Sequence, residues 1–89
     1  MHYVYILQSL STKRYYIGET KNISDRLKRH NENRSKATKG RGPWRVVISC
    51  VVENKSTAVR LEKKLKSMKN SEKAIAYLQR HCEKIEHSD

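Results

Sequence analysis

The stretch WRVVISCVVE, Trp44 to Glu53, is the feature that most constrains how this 89-residue chain can fold. Its valines and isoleucine favour extended backbone. A strand with one wet face alternates apolar and polar residues. Here the apolar run is nearly unbroken, so the strand is expected to be covered on both faces. A chain of this length has room for one domain with one modest core. The strand's sheet therefore needs helices packed against it.

Two shorter strands come first. In HYVYILQ, His2 to Gln8, Tyr3, Tyr5 and Leu7 fall on one face and Val4 and Ile6 on the other. SLSTKR reads as a polar hairpin connection. A second strand follows over Arg14 to Glu19, with Tyr16 and Gly18 on one face and Tyr15 and Ile17 on the opposite one. Glycine weakens a strand and packs nothing there, so Gly18 is an odd choice on its face. Asn22 then reads as an N-cap, with Asp25 three residues on, for a helix from Ile23 to Glu32 that buries Ile23 and Leu27. NENRSKATKGRG is a polar, basic loop ended by Pro43. Ser56 or Thr57 is expected to cap a second helix to Lys69, with Ala58, Leu61, Leu65 and Met68 as its apolar stripe and Asn70 as a left-handed stop. Ser71 is expected to cap a third helix, with Ala74, Ile75 and Leu78 inward. The fold class is thus α/β of the α+β kind: a small three-stranded, at least partly antiparallel sheet flanked by three helices, in the order β-β-α-β-α-α. Residues 1–82 form the single domain, and 83–89 a polar C-terminal tail.

Charge narrows the partners. Twenty Lys and Arg residues stand against nine Asp and Glu, a net charge of +11, and Lys13 to Arg45 alone holds eleven basic and three acidic residues. Such an imbalance points to a polyanion, nucleic acid first and an anionic membrane surface second. A soluble basic surface without a specific ligand is the plain alternative. Cys50 and Cys82 lack zinc or redox spacing and suit a reducing compartment. No apolar run reaches the ~18 residues of a membrane span, and the N-terminus lacks a signal-peptide pattern, so a cytoplasmic protein is expected.

Four kinds of side chain stand out as possible chemistry. Glu62 lies beside the apolar stripe of a helix otherwise rich in Lys and Arg. It would either pair with those cations or offer an oxygen to a hard cation such as Mg²⁺, which uses few carboxylates and lets substrate phosphate complete its shell. Arg26 is either one more solvated cation or a fork for phosphate. His30 follows at i+4 on the same helix face. Tyr5 and Tyr16 sit on neighbouring strands, where tyrosine usually means packing. A phenol is a weak base at neutral pH unless nearby cations favour its ionised form.

Taken in order, these residues resemble the GIY-YIG nuclease family. Tyr16-Ile17-Gly18 matches the second half of the signature literally, and Tyr3-Val4-Tyr5 stands where Gly-Ile-Tyr is expected, with Tyr3 replacing the glycine. Gly18, Thr20, Asn22, Arg26 and His30 follow the family's Gly-x-Thr-x-Asn, Arg and His spacing, and Glu62 matches its metal-binding glutamate. The resemblance runs from Tyr3 to Leu78 and is nearest to small stand-alone bacterial members, which are similar to the catalytic domain of the subunit that cuts branched DNA in eukaryotes.

The resemblance implies a divalent-metal-dependent endonuclease that prefers DNA structure to sequence. Glu62 would hold one Mg²⁺ or Mn²⁺, Tyr5 act as general base, Tyr16 orient water or phosphate, and Arg26 neutralise phosphate charge. His30 would transfer a proton or orient Tyr5. Gly18 would keep the sheet surface low for a phosphate or for the helix carrying Arg26, and Asn22 would shape the site. Lys28, Arg29, Lys36, Lys39 and Arg41 would grip the nucleic-acid backbone without reading bases. Other readings are a non-catalytic basic binding module that keeps the fold, RNA as substrate, and a subunit whose third helix docks on a protein partner that supplies specificity.

Overall fold

The computed structural model describes residues 1–33 and 38–87, with side chains through Cys82. Its elements are β1 (His2–Ser9), β2 (Tyr15–Thr20), α1 (Ile23–Asn31), β3 (Trp44–Val52), α2 (Lys55–Ser67) and α3 (Ser71–His87). The element order is the expected one. The sheet runs β2-β1-β3, and both pairings are antiparallel. The hairpin strand β1 is therefore central, which explains why both of its faces are apolar.

Two cores form on the two sides of this sheet. On one side Val4, Ile6, Cys50 and Val52 pack against Ala58, Leu61 and Leu65 of α2 and Ala74 and Leu78 of α3. On the other, Tyr5, Leu7 and Trp44 pack with Tyr16, Val46 and the α1 residues Ile23 and Leu27. Strand β3 serves both cores by means of a bulge. Ile6 pairs with Ile48, yet Leu7 pairs with Val46, which leaves Val47 as the extra residue. One inserted residue reverses the alternation. Trp44 and Val46 thus face α1, whereas Ile48, Cys50 and Val52 face α2 and α3.

The helix boundaries correct several expectations. Asn22 caps α1 as expected, its side chain accepting from the Asp25 N–H. Helix α2, however, is capped by Asn54, whose Oδ1 accepts from the Thr57 N–H at 2.9 Å, and not by Ser56 or Thr57. Asn70 is not the left-handed stop. Lys69 takes that conformation, with φ of 51°, and Asn70 caps α3 in place of Ser71 by accepting from the Lys73 N–H at 3.0 Å. The physical reason is shared. Asn is as good a cap as Ser or Thr, and at both helices it stands directly before the first helical residue, where its Oδ1 reaches a first-turn N–H. Helix α3 runs on to His87, past the start of the expected polar tail. No helix among the described residues is long and apolar enough to cross a membrane.

The loop before β3 is pinned at both ends of its described part. Ser9 Oγ donates to the Arg41 carbonyl, and the Leu10 N–H to the Pro43 carbonyl at 2.8 Å. Asn31, at the end of α1, accepts from the Trp44 N–H at 2.6 Å and donates back to the Trp44 carbonyl at 3.2 Å. The α1 layer is thereby fastened to the start of β3.

Gly18 sits directly opposite Tyr5 in the β1–β2 ladder, and the Tyr5 ring lies across it. A Cβ at Gly18 would stand 2.5 Å from the Tyr5 hydroxyl oxygen and 2.6 Å from its Cζ. The nearest approach in this structure is therefore made by cross-strand Tyr5, with the Tyr16 ring next. With Tyr5 buried at 1% exposure, the ring has little room to retreat. Gly18→Ala is expected to lose about 1–3 kcal/mol, the usual cost of overpacking, although alanine otherwise suits a strand better than glycine. Urea unfolding monitored by circular dichroism checks this, and a variant as stable as the parent would contradict the packing argument.

Candidate active site

The α1 face of the sheet gathers four rings. Tyr5 comes from β1, Tyr16 from β2, His30 from the last turn of α1, and Trp44 from the first position of β3. The His30 ring centre lies 4.8 Å from that of Tyr16, 6.2 Å from Tyr5 and 6.4 Å from Trp44. The Tyr5 and Tyr16 rings are 6.3 Å apart. The register explains this grouping. Leu7 pairs with Tyr16 and Tyr5 with Gly18, so both tyrosines project to one face, and glycine leaves the space the Tyr5 ring fills.

A buried hydrogen-bond chain crosses this box. The Tyr5 hydroxyl lies 3.2 Å from His30 Nε2, and His30 Nδ1 lies 2.7 Å from Thr38 Oγ1. His30 and Thr38 have no exposed surface. The Trp44 indole N–H donates to the Thr38 carbonyl at 3.4 Å. Thr38 and Trp44 were not among the expected site residues. Trp44 reads as the first residue of a strand, and Thr38 is one polar residue in a basic loop. Only the folded backbone brings either to the histidine.

Charge brings further residues to Tyr5. Burial pushes its phenol well above the ordinary value, and the nearby Tyr16 adds to the rise. The Arg26 guanidinium opposes it, by charge and by hydrogen bonding, whereas the Glu62 carboxylate raises it further. Tyr16, Arg26 and Glu62 thus all lie within electrostatic reach of one phenol oxygen. The cation-lowered phenol expected from the sequence is not what the protein alone provides, because burial outweighs Arg26.

Glu62 reaches this site from the other layer. The apolar stripe of α2 packs on the sheet face opposite α1. Lys66, one turn beyond Glu62, lines a groove with Tyr16 of the edge strand β2. The Glu62 side chain is 19% exposed, and its Oε1 takes an ion pair from Lys66 Nζ at 3.2 Å. Both readings of Glu62 therefore have a physical basis: a partner lysine and proximity to the phenol. Among the described residues no three His, Cys, Asp or Glu side chains form a metal cluster. A lone carboxylate fits a hard cation that keeps several waters and takes its other oxygens from substrate phosphate.

The remaining expected residues lie around the box. Asn22 and Gly18 have the structural roles described above. Tyr3 lines a separate surface depression with Asn22 and Ile23, at the start of α1 and apart from the four rings. Lys28, Arg29, Lys39 and Arg41 are exposed, with Arg29 in a 3.7 Å pair with Asp25 that solvent weakens. Lys36 lies outside the described residues.

The histidine makes a pH prediction. Burial, and secondarily the Arg26 charge, lower its pKa below the ordinary 6.5. The unfolded chain then binds the extra proton more readily than the folded one. The stability contributed is complete above the unfolded value and is lost as pH falls toward the lowered folded value. The urea midpoint is expected to drop on acidification from about pH 7.5 to 5, and to drop less in His30→Gln. Parallel declines in both proteins would rule out His30 as the source.

A profile of the GIY-YIG catalytic domain matches residues 1–75. A UPF0213 protein of Halalkalibacterium halodurans is 36% identical over 73 residues, covering 81% of this chain and 77% of its own length. One from Syntrophus aciditrophicus is 39% identical over 74 residues, covering 81% and 84%. The solution NMR structure of the UPF0213 protein BH0048 from Bacillus halodurans superposes with a TM-score of 0.53 at 34% identity, covering 85% of this chain and 81% of that one. The strand pair that carries Tyr5, Tyr16 and Gly18, the helix that carries Arg26 and His30, and the whole of α2 with Glu62 fall inside the matched span, and the chain belongs to the GIY-YIG catalytic-domain family.

Proposed function

We propose that this protein is a divalent-metal-dependent endonuclease that hydrolyses DNA phosphodiester bonds and selects DNA by structure more than by sequence. The observation that carries the reading is the gathering of Tyr16, Arg26, Glu62 and His30 about the Tyr5 hydroxyl.

In this reading Tyr5 accepts the proton of the attacking water. Arg26 has two tasks: it favours the ionised phenol, and its planar fork binds phosphate oxygens as charge grows on them. Tyr16 orients water or phosphate by hydrogen bond. His30, uncharged in its buried setting, fixes the Tyr5 oxygen through Nε2. Glu62 would hold the Mg²⁺ or Mn²⁺, which supplies Lewis-acid polarisation of the phosphate and positive charge beside the leaving oxygen. Lys28, Arg29, Lys39 and Arg41 contact the backbone. Phosphate contacts alone leave base sequence unread.

A second reading is a basic binding module without catalysis. The Lys66–Glu62 pair favours it, since it engages the carboxylate without a metal. Cleavage assays separate the two. Flapped, forked and blunt duplex DNA, with matched RNA, are incubated with Mg²⁺ or Mn²⁺. Tyr5→Phe, Arg26→Ala and Glu62→Gln are each expected to lower kcat about 10²-fold or more. Tyr5→Phe should leave DNA affinity at fixed salt within about twofold, since phosphate contacts carry that affinity. Equal cutting by Glu62→Gln, or binding without cleavage under either metal, would favour the non-catalytic module.

A further inference from the structure

Outside the four-ring box, the corner between α2 and α3 leaves a groove against the edge strand β2. Its walls are Tyr15 and Tyr16 on the strand side, Leu65, Lys66 and Lys69 at the end of α2, and Asn70 at the turn. None of its lining residues is acidic. Tyr15 is 36% exposed, one of the four large hydrophobic side chains most open to solvent among the described residues. Tyr16 belongs both to this groove and to the ring box, so the groove borders the candidate active site.

The corner is firmly built. Lys69 holds a left-handed backbone that non-glycine residues seldom adopt. Its N–H donates to the Lys66 carbonyl at 3.3 Å, and Asn70 caps the following helix. Lys66 therefore sits in the last turn of α2 and Lys69 on the turn that follows. Lys66 also meets Glu62, which links the groove to the carboxylate of the site.

We infer that this groove receives a single-stranded flank of the nucleic-acid substrate, with Tyr15 stacked on a base and Lys66 and Lys69 on its phosphates. The inference rests on the nuclease reading for its purpose. Its physical basis is separate: cationic walls beside an exposed ring. A duplex offers phosphates to lysines but keeps its base faces stacked, so an exposed aromatic ring gains only from an unpaired strand. Selection by structure then follows without base readout, because a flap or fork supplies the unpaired segment and an intact duplex does not.

Binding is measured without divalent metal, using oligo(dT), oligo(U) and a blunt DNA hairpin. Tyr15→Ala is expected to weaken oligonucleotide affinity about tenfold and to leave the hairpin within about twofold. Tyr15→Phe should retain the stacking and the affinity. Lys69→Asn removes the charge while tolerating the left-handed backbone, and should reduce the salt slope of oligonucleotide binding by roughly 0.7. Comparison of oligo(dT) with oligo(U) identifies which strand chemistry the groove prefers, and tight binding of either supports the proposal. Unchanged oligonucleotide binding in Tyr15→Ala, or an equal loss on the hairpin, would overturn it. Absence of cleavage on any substrate, with these binding differences intact, would instead remove the nuclease reading and leave the groove in place.

Discussion

The contact on which the site depends is the Tyr5 ring lying over Gly18. It joins the central strand to the edge strand through a side chain, in addition to the ladder hydrogen bonds. It also places the phenol oxygen, which lies over Gly18 and within hydrogen-bond distance of His30. The helix that packs above supplies His30 to that oxygen, and the loop that follows supplies Thr38 to His30. A methyl group at position 18 would disturb the chain of contacts at its origin, although glycine there has an ordinary extended backbone and no need for unusual torsions.

The second constraint is that a three-stranded sheet must supply two cores. Strand β1 does so by simple alternation. Strand β3 does so by changing phase at Val47, which sends Trp44 to the ring box and Cys50 to the opposite core although they are an even number of residues apart. The division has a functional consequence. The α1 layer carries the rings, Arg26 and His30, and the α2–α3 layer carries Glu62. An edge strand is the natural place for the two layers to meet, because there a helix on one face can present a side chain past the sheet rim. Tyr16 lies on that strand and Lys66 beside it.

Much of this was legible in the primary structure. Alternation put Tyr3, Tyr5 and Leu7 on one face of β1 and Tyr16 and Gly18 on one face of β2, leaving the register to join the two, and the i+4 spacing placed Arg26 and His30 together on α1. Unbroken apolarity in β3 indicated a doubly covered sheet. What could not be read were features decided by tertiary contact. The bulge at Val47 leaves no mark in a run of similar β-branched residues. The caps at Asn54 and Asn70 compete with adjacent Ser and Thr of nearly equal propensity, so the outcome depends on where the chain must turn. Thr38 gains its place only because the loop folds back over α1. The meaning of Gly18 was also hidden, since a close approach can be recognised from glycine without revealing what approaches.

The electrostatic balance at Tyr5 bears on why a phenol proposed as the base would need its particular neighbours. Burial holds the ring in position, and the same burial raises its pKa, so precise placement and ready ionisation oppose each other. Arg26 acts in the favourable direction. Glu62 by itself acts in the unfavourable one, since a bare carboxylate beside a phenol disfavours a second negative charge. In the proposed reading its effect changes sign only when a divalent cation more than neutralises it. A carboxylate that hinders the base when empty and assists it when loaded would tie ionisation of Tyr5 to arrival of the metal. The Lys66 ammonium, which offers a single positive charge, can offset the carboxylate without reversing it. In the proposed reading a doubly charged ion would thus offset part of the cost of burying the phenol, a burial that accompanies the seating of Tyr5 on Gly18.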